Sequence, residues 1–365
     1  MFSNAAGESY APGRAEWLGN HTDYNDGFVL GLGLGVGVTV KGARRDDFRL
    51  ACTAADLGRR CEESLEKLAP QAEESWANYV FGVAAGFLAR GAKGGGLNLE
   101  IRSNVPMGAG LSSSAALACA TARLLQQAWG TSFDELELAR IGQEAEHRFA
   151  GVRCGLLDQV TSLFARKDHA VFLDCRSLQV RRVPVPREAR FVIAQSGVKH
   201  ALSDGAYNAR REECEAAAHV LGVGKLREVS LDAVEAAARS GRLADAPLKR
   251  ARHVVSENAR VVAAVQALER KDLATVGRLM NESHESSRVL FENSCAEVDF
   301  LAATARQCDG CYGARLSGGG FGGAILAMVD AAQAEVFIEA FASKVRRAWG
   351  SEPELLLTGA DGPAA

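Results

Sequence analysis

"NVPMGAGLSSSAALACATARLL", residues 104–125, is the stretch on which the fold turns. Pro106, Gly108 and Gly110 define a loop that helical backbone angles do not favour. Three serines, Ser112, Ser113 and Ser114, lead into an alanine-rich segment of high helix propensity. A loop of small residues feeding a helix N-terminus presents free N–H groups and the positive dipole end at one spot, which suits an anion. Serine hydroxyls can add hydrogen bonds to phosphate or ligate Mg²⁺. The P-loop G-x-x-x-x-G-K-[ST] is excluded because no lysine follows. A plain serine N-cap would account for one serine but not for three in a row after spaced glycines, so the stretch is read as a phosphate site.

Working outward, residues 30–40 (LGLGLGVGVTV) alternate, with Leu30, Leu32, Leu34, Val36, Val38 and Val40 on one face and four glycines on the other. That period predicts a strand, and its bare face predicts another backbone lying very close. Trp76, Tyr79, Val80, Val83, Phe87 and Leu88 follow helical spacing over 75–90, with Gly91 as the stop. A strand is predicted over 96–103. A capping box at Ser132 and Glu135 is predicted to open a helix running to about Ala150, with Gly151 beyond it. Strands follow at 170–175 and 191–196, then largely helical sequence over 203–308. Strand, glycine loop and strand cover 313–329, with a helix over 331–349 and a last strand near 353–358. Strands and helices mix throughout, which predicts an α+β or α/β class. The Pro184-Val185-Pro186 stretch suggests a division into domains of residues 1–185 and 186–365.

The second glycine-rich run, "LSGGGFGGAIL", places five glycines within 318–323 between strand-like flanks. Such density implies backbone approaching something closely rather than a loose loop. "AEHRFAGVRCGLLDQV" carries Glu146 and, twelve residues on, Asp158. A carboxylate beside phosphates can bind Mg²⁺ or take a proton from a hydroxyl nucleophile. Read alone, each residue is most often a surface carboxylate.

Bulk composition excludes several classes. The 365 residues are 47% hydrophobic and 24% charged, with a net charge of −3, ordinary for a globular chain and without a basic nucleic-acid footprint. Arg44-Arg45 and Arg181-Arg182 lie among acids and read as solvated faces. The nine cysteines show no framework spacing, and the lone Cys308-x-x-Cys311 lacks the second pair a zinc ribbon needs. Free thiols, no signal-peptide pattern and no apolar run near ~20 residues predict a cytoplasmic protein. No nucleic-acid, membrane or obligate protein partner is expected.

Taken as a set, the motifs resemble those of the GHMP small-molecule kinases, and within them the galactokinase branch. "PGRAEWLGNHTDYNDG" (12–27) resembles the branch signature G-R-x-N-x-[IL]-G-E-H-x-D-Y-N, "PMGAGLSSSAAL" the phosphate loop, "CGLLDQ" (154–159) the segment with the catalytic aspartate, and "LSGGGFGGAIL" the third motif. "WANYVFGV" (76–83) and "KHALSDGAYNARREECE" (199–215) add to the likeness, which spans about residues 10–330 in the expected order.

The resemblance implies an α+β fold of two domains, an N-terminal half like ribosomal protein S5 domain 2 and a ferredoxin-like C-terminal half with added helices. The active site is expected between them. It also implies an ATP-dependent, Mg²⁺-requiring sugar 1-kinase, with galactose giving α-D-galactose 1-phosphate. Asp158 would orient or deprotonate the C1 hydroxyl, and Arg14 would stabilise that carboxylate and the transferring phosphoryl group. Gly108, Gly110, Ser112, Ser113 and Ser114 would hold the β- and γ-phosphates. Ser114, or Ser113, and Glu146 would hold Mg²⁺, and Trp76 and Tyr79 would flank adenine. Asn20, His21, Asp23, Gly155 and Tyr207 would line the sugar.

Two positions depart from the pattern. Asn20 stands where the branch has glutamate, and Glu16 where it has asparagine. The branch glutamate reads the sugar's outer hydroxyls, so a galacturonokinase or another sugar 1-kinase is an alternative. A second alternative is a non-catalytic sensor of galactose and ATP; the intact phosphate loop, Arg14, Glu146 and Asp158 favour an enzyme. The signature also begins only about ten residues into the chain, so a preceding helix common in the family is expected to be absent.

Overall fold

The computed structural model describes residues 5–73, 75–106, 110–198 and 205–360. The chain forms two compact units that interleave along the sequence. The first draws on residues 5–14, Leu34–Pro106 and Ser112–Ala165; the second on Ala15–Gly33, residues 110–111 and the chain from Arg166 onward.

The long strands β1 (Ala5–Leu18) and β2 (Phe28–Arg44) contribute to both units. The first unit adds β3 (Arg49–Ala54), β4 (Arg59–Ser64), α1 (Asn78–Ala89), β5 (Leu97–Ser103), α2 (Ser113–Trp129), α3 (Glu135–Ala145) and α4 (Leu157–Phe164). Its strands run in the order β4-β3-β5-β2, antiparallel except for the parallel β3–β5 pair. The period-two reading of 30–40 holds: Leu30, Leu32, Leu34, Val38 and Val40 are buried, and only Val36 is half-exposed. The predicted close approach is met at Gly37, where a Cβ would lie 2.4 Å from the Ala11 carbonyl oxygen and 2.5 Å from the Tyr10 hydroxyl.

The second unit adds β6 (His169–Asp174), β7 (Gln179–Pro184), β8 (Ala189–Gln195), α5 (Ala206–Leu221), α6 (Leu231–Arg239), α7 (Asp245–Glu269), α8 (Leu273–Ser286), α9 (Ala296–Arg306), β9 (Cys311–Ser317), β10 (Ala324–Asp330), α10 (Ala334–Trp349) and β11 (Leu355–Thr358). Its antiparallel sheet runs β11-β8-β10-β9. Phe337 and Phe341 of α10 stack at 5.6 Å between ring centroids and pack with Val298 and Leu301 of α9 against Val192 and Ile325 of the sheet. Helix α8 reaches β9 through glycine on both sides: a Cβ on Gly277 would lie 2.1 Å from the Tyr312 carbonyl oxygen, and one on Gly313 2.2 Å from that of Gly277.

One local reading is overturned and two are refined. The cap of α3 is Asp134, whose carboxylate accepts the Glu137 N–H at 2.8 Å, not Ser132 with Glu135; the acid adjacent to the first helical residue reaches the free N–H groups. Past Ala145 that helix continues as a wide π turn, Glu146–Ala150, closed by left-handed Gly151. The helix expected from residue 75 begins with a 3₁₀ turn, Ser75–Ala77, before α1 proper. Strand β7 was not foreseen, because its "QVRRVP" sequence is largely exposed and carries no apolar run.

A Gly37→Ala variant is expected to lose about 1–3 kcal/mol of stability, since its methyl group has to displace the Ala11 backbone carbonyl. Urea unfolding reads this directly, and an unchanged midpoint would show that β1 gives way freely.

Candidate active site

In the first unit, β1 delivers Arg14 and α4 delivers Asp158. The guanidinium holds the carboxylate with two parallel bonds, Nε to Oδ1 at 2.7 Å and Nη2 to Oδ2 at 2.5 Å. Arg14 is 5% exposed, so the fork is held in one orientation, and this bidentate geometry is the strong form of the pair. Ser112 donates its hydroxyl to the same Asp158 Oδ2.

That contact decides how the serine run is used. Ser112 precedes α2 with φ 51°, a left-handed conformation, and makes no side-chain cap to the helix. An ordinary N-cap serine has extended backbone and spends its oxygen on the helix N–H groups. Here the oxygen is diverted to the carboxylate, and no side chain among the described residues caps the start of α2. Gly110 is left-handed too, with φ 66°. Gly108 lies outside the described residues. Ser113 is the first residue of α2, and the Ser114 hydroxyl lies beside that of Tyr79.

Glu146 opens the π turn after α3 and is buried. It accepts from Gln159 Nε2 at 2.9 Å and from the Cys154 thiol at 3.6 Å. Burial, then the negative charge of Asp158, push its carboxyl up to about 7; the hydrogen bond from Cys154 and the Arg14 charge only partly offset this. Two mutually repelling carboxylates, one of them buried, are oxygen donors of the kind a hard divalent cation takes. Tyr79, on α1, is pushed up to about 12 by burial and by the Glu146 charge. Trp76 sits half-buried in the 3₁₀ turn before that helix, and Gly155 is buried in the loop before α4. His147 ties its ring Nε2 to the Cys154 carbonyl at 2.8 Å and is a tether of this loop.

In the second unit, Asn20, His21 and Asp23 form the turn after β1. Left-handed His21 (φ 57°) places its ring between Phe291, at 4.4 Å, and Tyr207, at 4.9 Å. Its Nε2 lies 2.9 Å from the Gly319 carbonyl, an acceptor only, so Nε2 carries the proton and Nδ1 accepts from the Tyr24 hydroxyl at 2.8 Å. Burial lowers this imidazole to about 3, so it is neutral at physiological pH. Asn20 is wholly buried and Asp23 accepts from the Tyr24 N–H at 2.9 Å. Tyr207 opens α5 and packs on Gly319. The loop itself is held: Gly318, Gly320, Phe321, Gly322 and Gly323 all have positive φ, and a Cβ on Gly320 would lie 2.2 Å from the Asn293 carbonyl.

Three family models match in chain order. They are the galactokinase galactose-binding signature over residues 1–44, the GHMP kinases N terminal domain over 78–166 and the GHMP kinases C terminal over 264–347. A galactokinase of Glaesserella parasuis is 42% identical, covering 97% of this chain and 93% of its own length. The chain belongs to the galactokinase family. A Haemophilus influenzae galactokinase is 44% identical over 87% of this chain and 84% of its own. The crystal structure of Lactococcus lactis galactokinase complexed with galactose superposes with a TM-score of 0.91 at 31% identity, covering 96% and 92% of the two chains. Methanococcus jannaschii mevalonate kinase shares the fold, with a TM-score of 0.68 at 14% identity and 96% of each chain covered. The two-domain GHMP kinase fold read from the motifs is thus the fold of this galactokinase family member.

Sequence reasoning missed several groups that hold these clusters. Glu257 of α7 accepts from the Gly19 and Asn20 N–H groups at 3.0 and 3.3 Å and from Ser283 at 2.6 Å. Its burial would raise the carboxyl, but the Arg260 guanidinium, the neighbouring His253 and Arg315, and the Ser283 hydrogen bond outweigh that and hold it far below its ordinary range. His253 supports the Asn20 carbonyl at 3.0 Å, and Gln159 braces Glu146. Glu257 and His253 lie in an ordinary amphipathic helix, where spacing carries no mark of the partner. Gln159 stood inside a motif already singled out.

Folded Glu146 binds its proton more tightly than the unfolded chain, whose ordinary value is 4.5. It therefore favours the fold most below that pH, and the contribution is lost as pH rises through about 7, a cost of up to roughly 3 kcal/mol. Ligand-free Glu146→Gln is expected to melt a few degrees above wild type at pH 8 and level with it at pH 5. A pH-independent difference in melting temperature would contradict the raised carboxyl.

Proposed function

We propose that this chain is an ATP-dependent galactokinase that transfers the γ-phosphoryl group to the C1 hydroxyl of D-galactose, giving α-D-galactose 1-phosphate and ADP. The observation that carries the reading is Asp158, clamped by Arg14 and by Ser112 beside the uncapped start of α2. The carboxylate is thereby aimed, and the helix start offers N–H groups and a positive dipole end to phosphate.

Phosphoryl transfer asks little covalent chemistry of a protein; positioning and charge stabilisation dominate. Asp158 orients the sugar hydroxyl and accepts its proton late in a loose phosphoryl transfer. Arg14 holds that carboxylate in place and faces the transferring group. Gly108, Gly110, Ser112, Ser113 and Ser114 hold the phosphates, and Trp76 and Tyr79 flank the adenine. Glu146 and Ser114 would hold Mg²⁺, which when bound supplies neutralising charge to the phosphates. The elevated, repelled Glu146 carboxyl supports this, since a cation removes the cost of ionising it. His21, Asp23, Gly155 and Tyr207 line the sugar. Neutral His21 serves as a fixed dipole and aromatic wall rather than as an acid. We assign the phosphate and acid–base work to residues 1–185 and the third motif and Tyr207 to 186–365. We place the protein in the cytoplasm, a reading supported by nine free thiols.

The test is ADP release with MgATP across galactose, galacturonate, N-acetylgalactosamine, L-arabinose and glucose, for wild type and Asp158→Asn. Strong turnover on galactose is expected, with the variant inactive but still binding ATP. Preference for another sugar would move the substrate assignment, and retained turnover by the variant would overturn the mechanism.

A further inference from the structure

The two departures from the family signature, Glu16 and Asn20, touch each other: Asn20 Nδ2 donates to Glu16 Oε1 at 2.9 Å. The remaining capacity of Asn20 is also spent inside the protein. Nδ2 donates to the Gly318 carbonyl at 2.8 Å, and Oδ1 accepts from Asn293 at 2.9 Å and Ser287 at 3.3 Å. A primary amide has two donor hydrogens and two acceptor lone pairs, so nothing is left for a ligand.

Charge around the pair is balanced. Glu16 accepts from the fully buried Arg315 at 3.0 Å, and Glu257 pairs with Arg260 at 2.7 Å. His21 and His253, lowered to about 3 and about 4 by burial, add no charge. Two carboxylates therefore meet two guanidinium groups. The family arrangement, asparagine at 16 and glutamate at 20, contains the same one amide and one carboxylate.

We infer that Glu16 and Asn20 are a single exchanged unit, and that Asn20 is a positioning residue for the glycine loop and His21 rather than a reader of the sugar. Glutamate at 20 alone would face Glu16 and the Gly318 carbonyl, adding an uncompensated buried charge and losing a donor. Asparagine at 16 alone would strip Arg315 of its carboxylate. Exchanging both keeps the balance, and Arg315 Nε and Nη2, without hydrogen-bond partners among the described residues, are donors a carboxylate arriving from position 20 can use.

The inference uses the galactokinase reading only for its assay. Wild type, Glu16→Asn, Asn20→Glu and the double exchange are compared by melting temperature and by kcat and KM for galactose. Each single change is expected to lower the melting temperature and to cost about tenfold or more in kcat/KM, carried chiefly by KM, while the double returns close to wild type, as coupled neighbours do. Asn20→Ala is then assayed on galactose and on 6-deoxygalactose, which lacks the outer hydroxyl. An equal proportional loss on both supports positioning. Losses that simply add in the double, or a loss confined to galactose in Asn20→Ala, overturn the inference. If wild type phosphorylates no sugar, the galactokinase reading fails, and the melting-temperature cycle alone still decides whether the pair is coupled.

Discussion

The bidentate pair between Arg14 and Asp158 is the constraint on which the proposed chemistry depends. It ties β1 to α4 across 144 positions of sequence and sets one carboxylate in one plane. A monodentate contact would leave the carboxylate free to rotate; two parallel bonds do not. The same carboxylate draws Ser112 out of its capping role, which leaves the first turn of α2 without a side-chain cap. The orientation of the Asp158 carboxylate and the uncapped helix start are thus consequences of one contact.

Glu146 shows the other side of this arrangement. Burial and then the Asp158 carboxylate disfavour its charge, so a proton or a cation is favoured there. The second unit follows a different logic. Its turn after β1 is closed by buried hydrogen bonds in which charges are matched and the histidines stay neutral. A polar layer bonded this densely fixes geometry, with Arg315 Nε and Nη2 left over among the described residues, and each further member left unpaired would cost more than a surface polar group.

Much of the fold was legible because the signals were periodic or steric. The alternating run at 30–40 declared a strand, and its glycines declared the close neighbour found at Gly37. The spacing of glycines before a serine run declared the loop ahead of α2, and the five glycines at 318–323 declared a tightly held turn. What stayed hidden was cooperative in space. Nothing near Ser112 announces that its hydroxyl leaves the helix for a residue 46 positions away. Glu257 and His253 read as helix-face residues, and their roles exist only through the turn they support. The exchange of Glu16 and Asn20 was visible as two separate oddities; that they are bonded partners is a statement only coordinates make. Strand β7 escaped because an exposed edge carries no apolar pattern.

The central claim is that the orientation of Asp158, held by the Arg14 fork, sets the rate of phosphoryl transfer. The most direct measurement is the steady-state kinetics of Arg14→Lys, which keeps the charge and removes the fork. The account predicts a fall in kcat of about a hundredfold or more with little change in galactose KM, as expected for an interaction that matters in the transition state. A lysine variant that turns over at the wild-type rate would contradict it.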